Sequence, residues 1–252
     1  MNPILKIQDI NLLDELKNQT IVFETDNFEI IEQIHNAVQK NNHLFCIKLN
    51  VNQDITSINF KEEWGQIPLV IYPAGLGAVR DFVTLLPVLK KMNVKFFLDS
   101  AEQQNYEAVQ ILSSLGIYSG IVINKNADWE KLTDLMYYAL CGKAAHAPIE
   151  PFQYLYDMYQ RNLLVDYGTV FFENPEMFDF LTAKSAKDMQ RAQRVKPIKT
   201  WQSFFYEATP CAACEGWRIC LGKYAEIEDK IECQTFTIEL LNLIENIKPI
   251  NP

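Results

Sequence analysis

Four cysteines near the carboxyl end are the residues best suited to chemistry in this sequence. Cys211, Cys214, Cys220 and Cys233 follow the spacing C-x2-C-x5-C-x12-C, and they are four of the six cysteines in the 252-residue chain. In a C-x2-C pair, two thiolates can point at one ion. Four thiolates arranged as a tetrahedron hold zinc or an iron–sulfur cluster. The spacing therefore predicts that these four cysteines bind one metal centre, with sulfur-to-metal distances of about 2.3 Å.

Two disulfide bonds would also account for four cysteines. The sequence shows no apolar run typical of a secretory signal, which argues against an oxidising environment. The remaining cysteines, Cys46 and Cys141, have apolar neighbours, and we expect both to be buried and unligated. A metal-bound site is the favoured interpretation, and the choice between zinc and an iron–sulfur cluster stays open.

The composition predicts a folded cytoplasmic protein with a sizeable core. Hydrophobic residues make up 48% of the chain, and the formal net charge is −9. The negative charge argues against general binding to nucleic acid or to an anionic membrane. No stretch approaches the roughly 20 apolar residues that a membrane-spanning helix needs.

Strands and helices alternate along most of the chain. Short apolar runs about 25 residues apart predict six strands, at 20–24, 43–49, 68–72, 94–98, 118–123 and 167–172, with helices between them. Residues 1–18 are predicted to be a short helix or arm. Repeated βα units of this kind form a parallel sheet, either as a partial barrel or as a doubly wound sheet. The predicted domains are a βα domain over 1–174 and, over 175–252, a linker helix, the cysteine segment and a terminal helix.

The cysteine spacing resembles a known module. A C-x2-C-x5-C block followed by a more distant cysteine is similar to the SPASM-type extension of radical SAM enzymes, which carries auxiliary iron–sulfur clusters. The resemblance covers about thirty residues. The fuller family pattern has additional cysteines, and Tyr224 stands where one of them would be, so the ligands suffice for one cluster. The resemblance implies a partial (β/α)6 TIM-like barrel, a small SPASM-like module and one 4Fe–4S cluster, with zinc as the alternative.

The motif that binds the catalytic cluster of radical SAM enzymes is missing. Those enzymes carry C-x3-C-x2-C after the first strand, whereas residues 24–31 contain no cysteine. The chain thus resembles a degenerate member of the family without radical chemistry. The resemblance implies an accessory protein that binds a peptide substrate or a partner radical SAM enzyme. The alternatives are a protein with a structural zinc site whose βα domain does the binding, and an enzyme that works at the carboxyl ends of the strands without the metal.

Two further patterns could take part in binding. Lys184, Lys187, Arg191 and Arg194 recur at three- and four-residue steps, so on a helix they share one face. This basic stripe is either a solvated face or a docking surface for an acidic partner.

Three polar residues, Glu24, Asp99 and Asn124, each follow a predicted strand. The carboxyl ends of parallel strands meet at one edge, where sites lie, although helix capping would explain the same residues. The segment 74–78 has glycines at two positions and suits either phosphate binding or a tight turn, the turn being favoured.

Overall fold

The computed structural model describes residues 4–161, 213–216 and 230–247. Six α-helices occur in these ranges: Ile31–Gln39 (α1), Val79–Leu89 (α2), Gln104–Ser114 (α3), Trp129–Cys141 (α4), Phe152–Gln160 (α5) and Lys230–Asn246 (α6). The strands are Ile4–Ile7 (β1), Thr20–Thr25 (β2), His43–Asn50 (β3), Leu69–Tyr72 (β4), Val94–Asp99 (β5), Ser119–Val122 (β6) and Ile149–Glu150 (β7). Short 3-10 helices lie at Ile10–Asp14, Phe28–Ile30, Ile55–Ser57 and Glu62–Trp64.

All seven described strands form one parallel sheet, in the same order as in the sequence. Each strand pairs with the next one along the chain, as in the pairs Phe23–Ile47 and Ile47–Leu69. A doubly wound sheet reverses its strand order at a switch point. The strand order does not reverse anywhere among these seven strands. The parallel strands, with helices between them along the chain, confirm the predicted α/β class.

The two faces of the sheet differ in chemistry. On one face, fully buried apolar side chains such as Ile7, Phe23 and Phe96 join buried residues of the helices in a single core. The strand register places the charged and amide residues together on the opposite face, which we call the polar face. It carries Lys6, Glu24, Lys48, Asn50, Tyr72, Lys95, Asp99 and Glu150. Burying a charge requires a partner, so the contacts on this face are informative.

The amino-terminal arm departs from its prediction. The segment 1–18 was predicted to be a short helix or arm, but it contains the strand Ile4–Ile7, which extends both faces of the sheet. A 3-10 helix follows at Ile10–Asp14. The strand β7 also had no counterpart in the prediction. The predicted strand at 167–172 and the predicted helix before the cysteines lie outside the described residues.

Side-chain and glycine signals mark the ends of two inner helices. The Asp128 side chain caps α4 by accepting from the backbone amide of Lys131. Gly116 follows α3 with φ of 82°, a left-handed conformation that favours glycine. No side chain in the described ranges caps the start of α3, and the Ser100 hydroxyl accepts from the backbone amide of Asn124 at 3.1 Å.

The terminal helix α6 packs against α4 and α5. The ring of Phe236 lies 5.5 Å from that of Trp129 and 6.4 Å from that of Phe152. The Tyr137 hydroxyl donates to Glu239 at 2.7 Å. The far end of the sequence is therefore fastened to the helices of the βα domain. No helix within the described ranges combines the length and apolar character needed to cross a bilayer.

Candidate functional site

A carboxylate with four hydrogen-bond donors lies on the polar face, at the carboxyl ends of the strands. Glu24, near the end of β2, is 8% exposed. Its oxygens receive the ammonium groups of Lys6 at 2.5 Å and Lys48 at 3.1 Å. The side-chain amides of Gln8 and Asn50 donate to the same carboxylate at 2.7 and 2.9 Å. Three adjacent strands and the residue after β1 thus converge on one group, which we call the Glu24 cluster.

The Glu24 cluster has a definite ionisation state. Burial by itself raises the pKa of Glu24, but Lys6, Lys48, Asn50 and Gln8 together lower it to about 2. The carboxylate is therefore ionised at neutral pH, and each oxygen already accepts two hydrogen bonds. A base with so low a pKa takes up protons poorly near pH 7. The arrangement suits Glu24 to holding the two lysines in place rather than to proton transfer.

Aromatic rings extend the cluster across the sheet. The Lys48 ammonium lies 4.6 Å from the centre of the Tyr72 ring, which stacks on Phe97 with centroids 5.6 Å apart. Further along the same edge, the Asn124 amide donates to the Asp99 carboxylate, which also accepts from the backbone amide of Ala101 at 2.8 Å. The edge therefore presents charged, amide and aromatic groups side by side.

Glu24, Asp99 and Asn124 lie at the same edge, as predicted, but they do not form one cluster. Asp99 and Asn124 bond to each other, whereas Glu24 has partners on β1 and β3 and after β1. Sequence reasoning missed Lys6 and Lys48. The signal that could have found them is a charged residue inside an otherwise apolar strand, since such a side chain needs a buried partner.

The glycine loop after β4 is a packed turn. Gly77 has φ of 81°, and a Cβ added to it would lie 1.9 Å from the Thr56 hydroxyl oxygen. The loop carbonyls of Gly75 and Leu76 accept from the backbone amides of Ile55 and Thr56 at 3.0 and 3.3 Å. The glycines are required by this close approach to residues 54–56. These contacts favour the tight-turn interpretation over phosphate binding.

Two of the four predicted metal ligands lie in the described ranges. Cys233 is buried on α6, and Cys214 is half-buried within 213–216; neither forms a disulfide. Two residues after Cys214, a Cβ added to Gly216 would lie 2.6 Å from the Cβ of Thr237, which is one turn beyond Cys233. The Thr237 hydroxyl in turn donates to the Cys233 carbonyl. The two cysteine segments therefore lie against each other.

The remaining predicted ligands and the basic stripe are not covered by the structure. Cys211 and Cys220 lie outside the described residues, as do Lys184, Lys187, Arg191 and Arg194. Within the ranges that are described, no group of three or more potential metal ligands occurs. With half of the predicted set outside those ranges, the four-cysteine centre stays a prediction.

The two other cysteines differ from each other. Cys46 is buried on the polar face, and burial raises the pKa of its thiol while the positive charges of Lys95 and Lys48 lower it by less. This residue matches the expectation of a buried core thiol. Cys141 is exposed, because it ends α4 at the surface, so the prediction that it is buried was wrong.

Comparisons with known proteins add no further constraint. Protein-family models, curated proteins and solved structures gave no significant match to this chain.

Proposed function

We propose that this chain is an accessory protein that binds one iron–sulfur cluster, is related to radical SAM/SPASM peptide maturases and lacks radical chemistry of its own. On this proposal, the parallel sheet is part of a TIM-like partial barrel, and its polar edge binds a peptide or a partner enzyme. The sequential strand order supports the barrel, since a barrel requires each strand to pair with its neighbour in sequence. The cysteines hold the cluster.

One observation carries the cluster assignment. The contact of Gly216 with Thr237 brings the segment of Cys214 against the helix turn that bears Cys233. Neither cysteine forms a disulfide bond, so both thiols can act as ligands. When bound, a cluster held by Cys211, Cys214, Cys220 and Cys233 would supply an electron-transfer or structural centre. The chain's own contribution is to hold these segments together.

The absence of radical chemistry is argued from ligand count. The catalytic cluster of the resembled enzymes needs three thiolates after the first strand. Neither the segment after β1 nor the one after β2 contains a cysteine. At that edge this chain instead has the Glu24 cluster with its two lysines. The carboxylate is already paired with both ammonium groups, so this cluster holds its side chains in fixed positions.

Anaerobic purification tests the proposal. We expect a brown protein with absorption at about 400 nm, and equal amounts of iron and acid-labile sulfide. Cys214→Ser and Cys233→Ser should each lose iron, whereas Cys141→Ser, at an exposed cysteine outside the motif, should keep it. Iron retained by the Cys233→Ser protein would show that the four-ligand assignment is wrong.

A structural zinc site is the second candidate, and the position of α6 favours it. Cys233 lies on the helix that packs on α4 through Phe236 and Trp129, so a metal there would fasten the end of the chain to the βα domain. Structural zinc sites contribute directly to folding. A colourless protein with one zinc per chain, whose α6 detaches on chelation, would support this function over the first.

A further inference from the structure

A cavity lies on the polar face where the strands begin, at the end opposite the Glu24 cluster. It has a volume of about 300 Å³ and is lined at the amino ends of the strands by residues that include Phe45, Leu69, Lys95, Tyr118, Glu150 and Tyr154. On β5, Lys95 precedes Asp99 by four positions, which corresponds to roughly 13 Å along a strand. The cavity is therefore distinct from the edge that carries the Glu24 cluster.

In the part of the chain that the structure describes, Lys95 is the one basic residue in the lining of this cavity. Its side chain is half-buried, and its ammonium lies 4.2 Å from the centre of the Tyr118 ring. Among the described residues it has no carboxylate within salt-bridge distance and no hydrogen-bond acceptor. The ring attracts the positive charge but does not replace the acceptors that three N–H donors can use. A partly desolvated ammonium of this kind is favourably placed to receive an anion.

The neighbouring carboxylate does not serve as that anion. Glu150 accepts a hydrogen bond from the Tyr118 hydroxyl and another from the Tyr154 backbone amide at 3.0 Å. Burial raises the pKa of Glu150, against the smaller opposing effects of Tyr118, the Tyr154 amide and Lys95. Glu150 therefore has its own hydrogen-bond donors in the wall of the cavity, and it holds in place the Tyr118 ring over which Lys95 lies.

We propose that this cavity binds a small organic carboxylate whose charge pairs with Lys95. The body of the ligand would lie against Phe45, Leu69 and Tyr154, because the rest of the lining is largely aromatic and aliphatic. A single cation matches one carboxylate better than a doubly charged phosphate. The volume is at the lower end of ligand pockets, about 300 Å³, which suits a small molecule of the size of benzoate. This site is independent of the four-cysteine motif and of the accessory function proposed above, although Cys46 contributes to its lining.

Paired probes test the charge requirement on the full-length chain. Binding of benzoate and isovalerate is measured by isothermal titration calorimetry and compared with benzamide and isovaleramide, which have the same shapes without the charge. We expect each carboxylate to bind at least about tenfold more tightly than its amide. Equal affinities of acid and amide, or no binding of either carboxylate at about 10 mM, would overturn the proposal. Inorganic phosphate binding more tightly than the carboxylates would overturn it as well.

Three lysine variants then assign the site. Lys95→Met should weaken benzoate binding by about tenfold or more, and Lys95→Arg should keep it within about threefold. Lys61→Met is the matched control, since the Lys61 ammonium also lies over a ring, that of Trp64 at 5.7 Å, but outside the cavity. Circular dichroism checks that each variant is folded. Unchanged benzoate affinity in a folded Lys95→Met protein would refute the assignment.

Discussion

Replacing Glu24 with glutamine should remove a large part of the stability of the sheet. The folded protein lowers the pKa of this carboxyl from 4.5 to about 2. A change of one in a pKa corresponds to about 1.4 kcal/mol, so the interactions of the ionised carboxylate contribute about 3 kcal/mol at pH 7. Lys6 and Lys48, whose side chains are only 14% and 9% exposed, also lose this countercharge in the variant. Because small domains have about 5–15 kcal/mol of stability, the variant should still fold.

The stability difference between wild type and Glu24→Gln should fall as the pH falls. A carboxyl whose pKa is lowered on folding stabilises the protein above the unfolded value, and this stabilisation is lost as pH falls through the folded value. The free energies of unfolding of wild type and Glu24→Gln should therefore differ by about 3 kcal/mol at pH 7 and by about 1.5 kcal/mol at pH 3. The difference shrinks because the carboxyl of the unfolded chain, with its ordinary pKa of 4.5, takes up a proton at pH 3, while the folded carboxyl is still mostly ionised.

Urea unfolding, followed by circular dichroism, measures the difference without adding salt. Glu62→Gln is the matched control, because Glu62 pairs with Lys91 at 3.6 Å while both side chains are more than two-thirds exposed, at 73% and 71%. Such surface pairs contribute little, so the control should change stability by less than about 0.5 kcal/mol at either pH. A Glu24→Gln protein as stable as this control, or a loss of stability equal at both pH values, would refute the reasoning.

Three other predictions concern the sheet, the chemistry and the stripe. Gly120→Ala should destabilise the protein by about 1–3 kcal/mol in urea unfolding, because its new Cβ would lie 2.6 Å from the Phe97 ring; a neutral effect would mean that the ring moves aside freely. Reconstituted protein with a strong reductant should not cleave S-adenosylmethionine, so 5′-deoxyadenosine above background, detected by chromatography, would contradict the ligand-count argument. Lys187→Glu combined with Arg191→Glu should slow association with an acidic partner and reduce its salt dependence, while stability changes by no more than about 0.5 kcal/mol. Pull-down at low and high salt measures this, and binding unaffected by the reversal would leave the stripe as a solvated face.

The strands of the central sheet could be predicted because each is a short apolar run bounded by polar residues. Thr20–Thr25, His43–Asn50 and Val94–Asp99 all lie within a residue or two of their predicted bounds. The sequence did not identify β1, since its four residues are followed by leucines at helical spacing that instead form a 3-10 helix. With two residues, β7 is too short for periodicity to detect.

The candidate site could be predicted only in outline. The position of Glu24 after an apolar run indicated the edge of the sheet, but its partners depend on register. Lys6 and Lys48 reach the carboxylate because β1 and β3 flank β2 in space, with Lys48 paired directly to Glu24. Periodicity along one strand contains no information on such pairing. Lysines on the polar face therefore escape a search that treats apolar strands as uniform core.

The sequential strand order has a consequence for how the chain folds during synthesis. Pairing Ile4 with Thr20 and Ser119 with Ile149 are the shortest and longest steps between strands, and doubling a loop costs only about 0.6 kcal/mol. No described strand has to wait for a distant partner. The contacts described for Glu24 come from residues 6 to 50, so a nascent chain can complete them before the cysteine segment leaves the ribosome. The polar edge can thus be formed before any metal is bound.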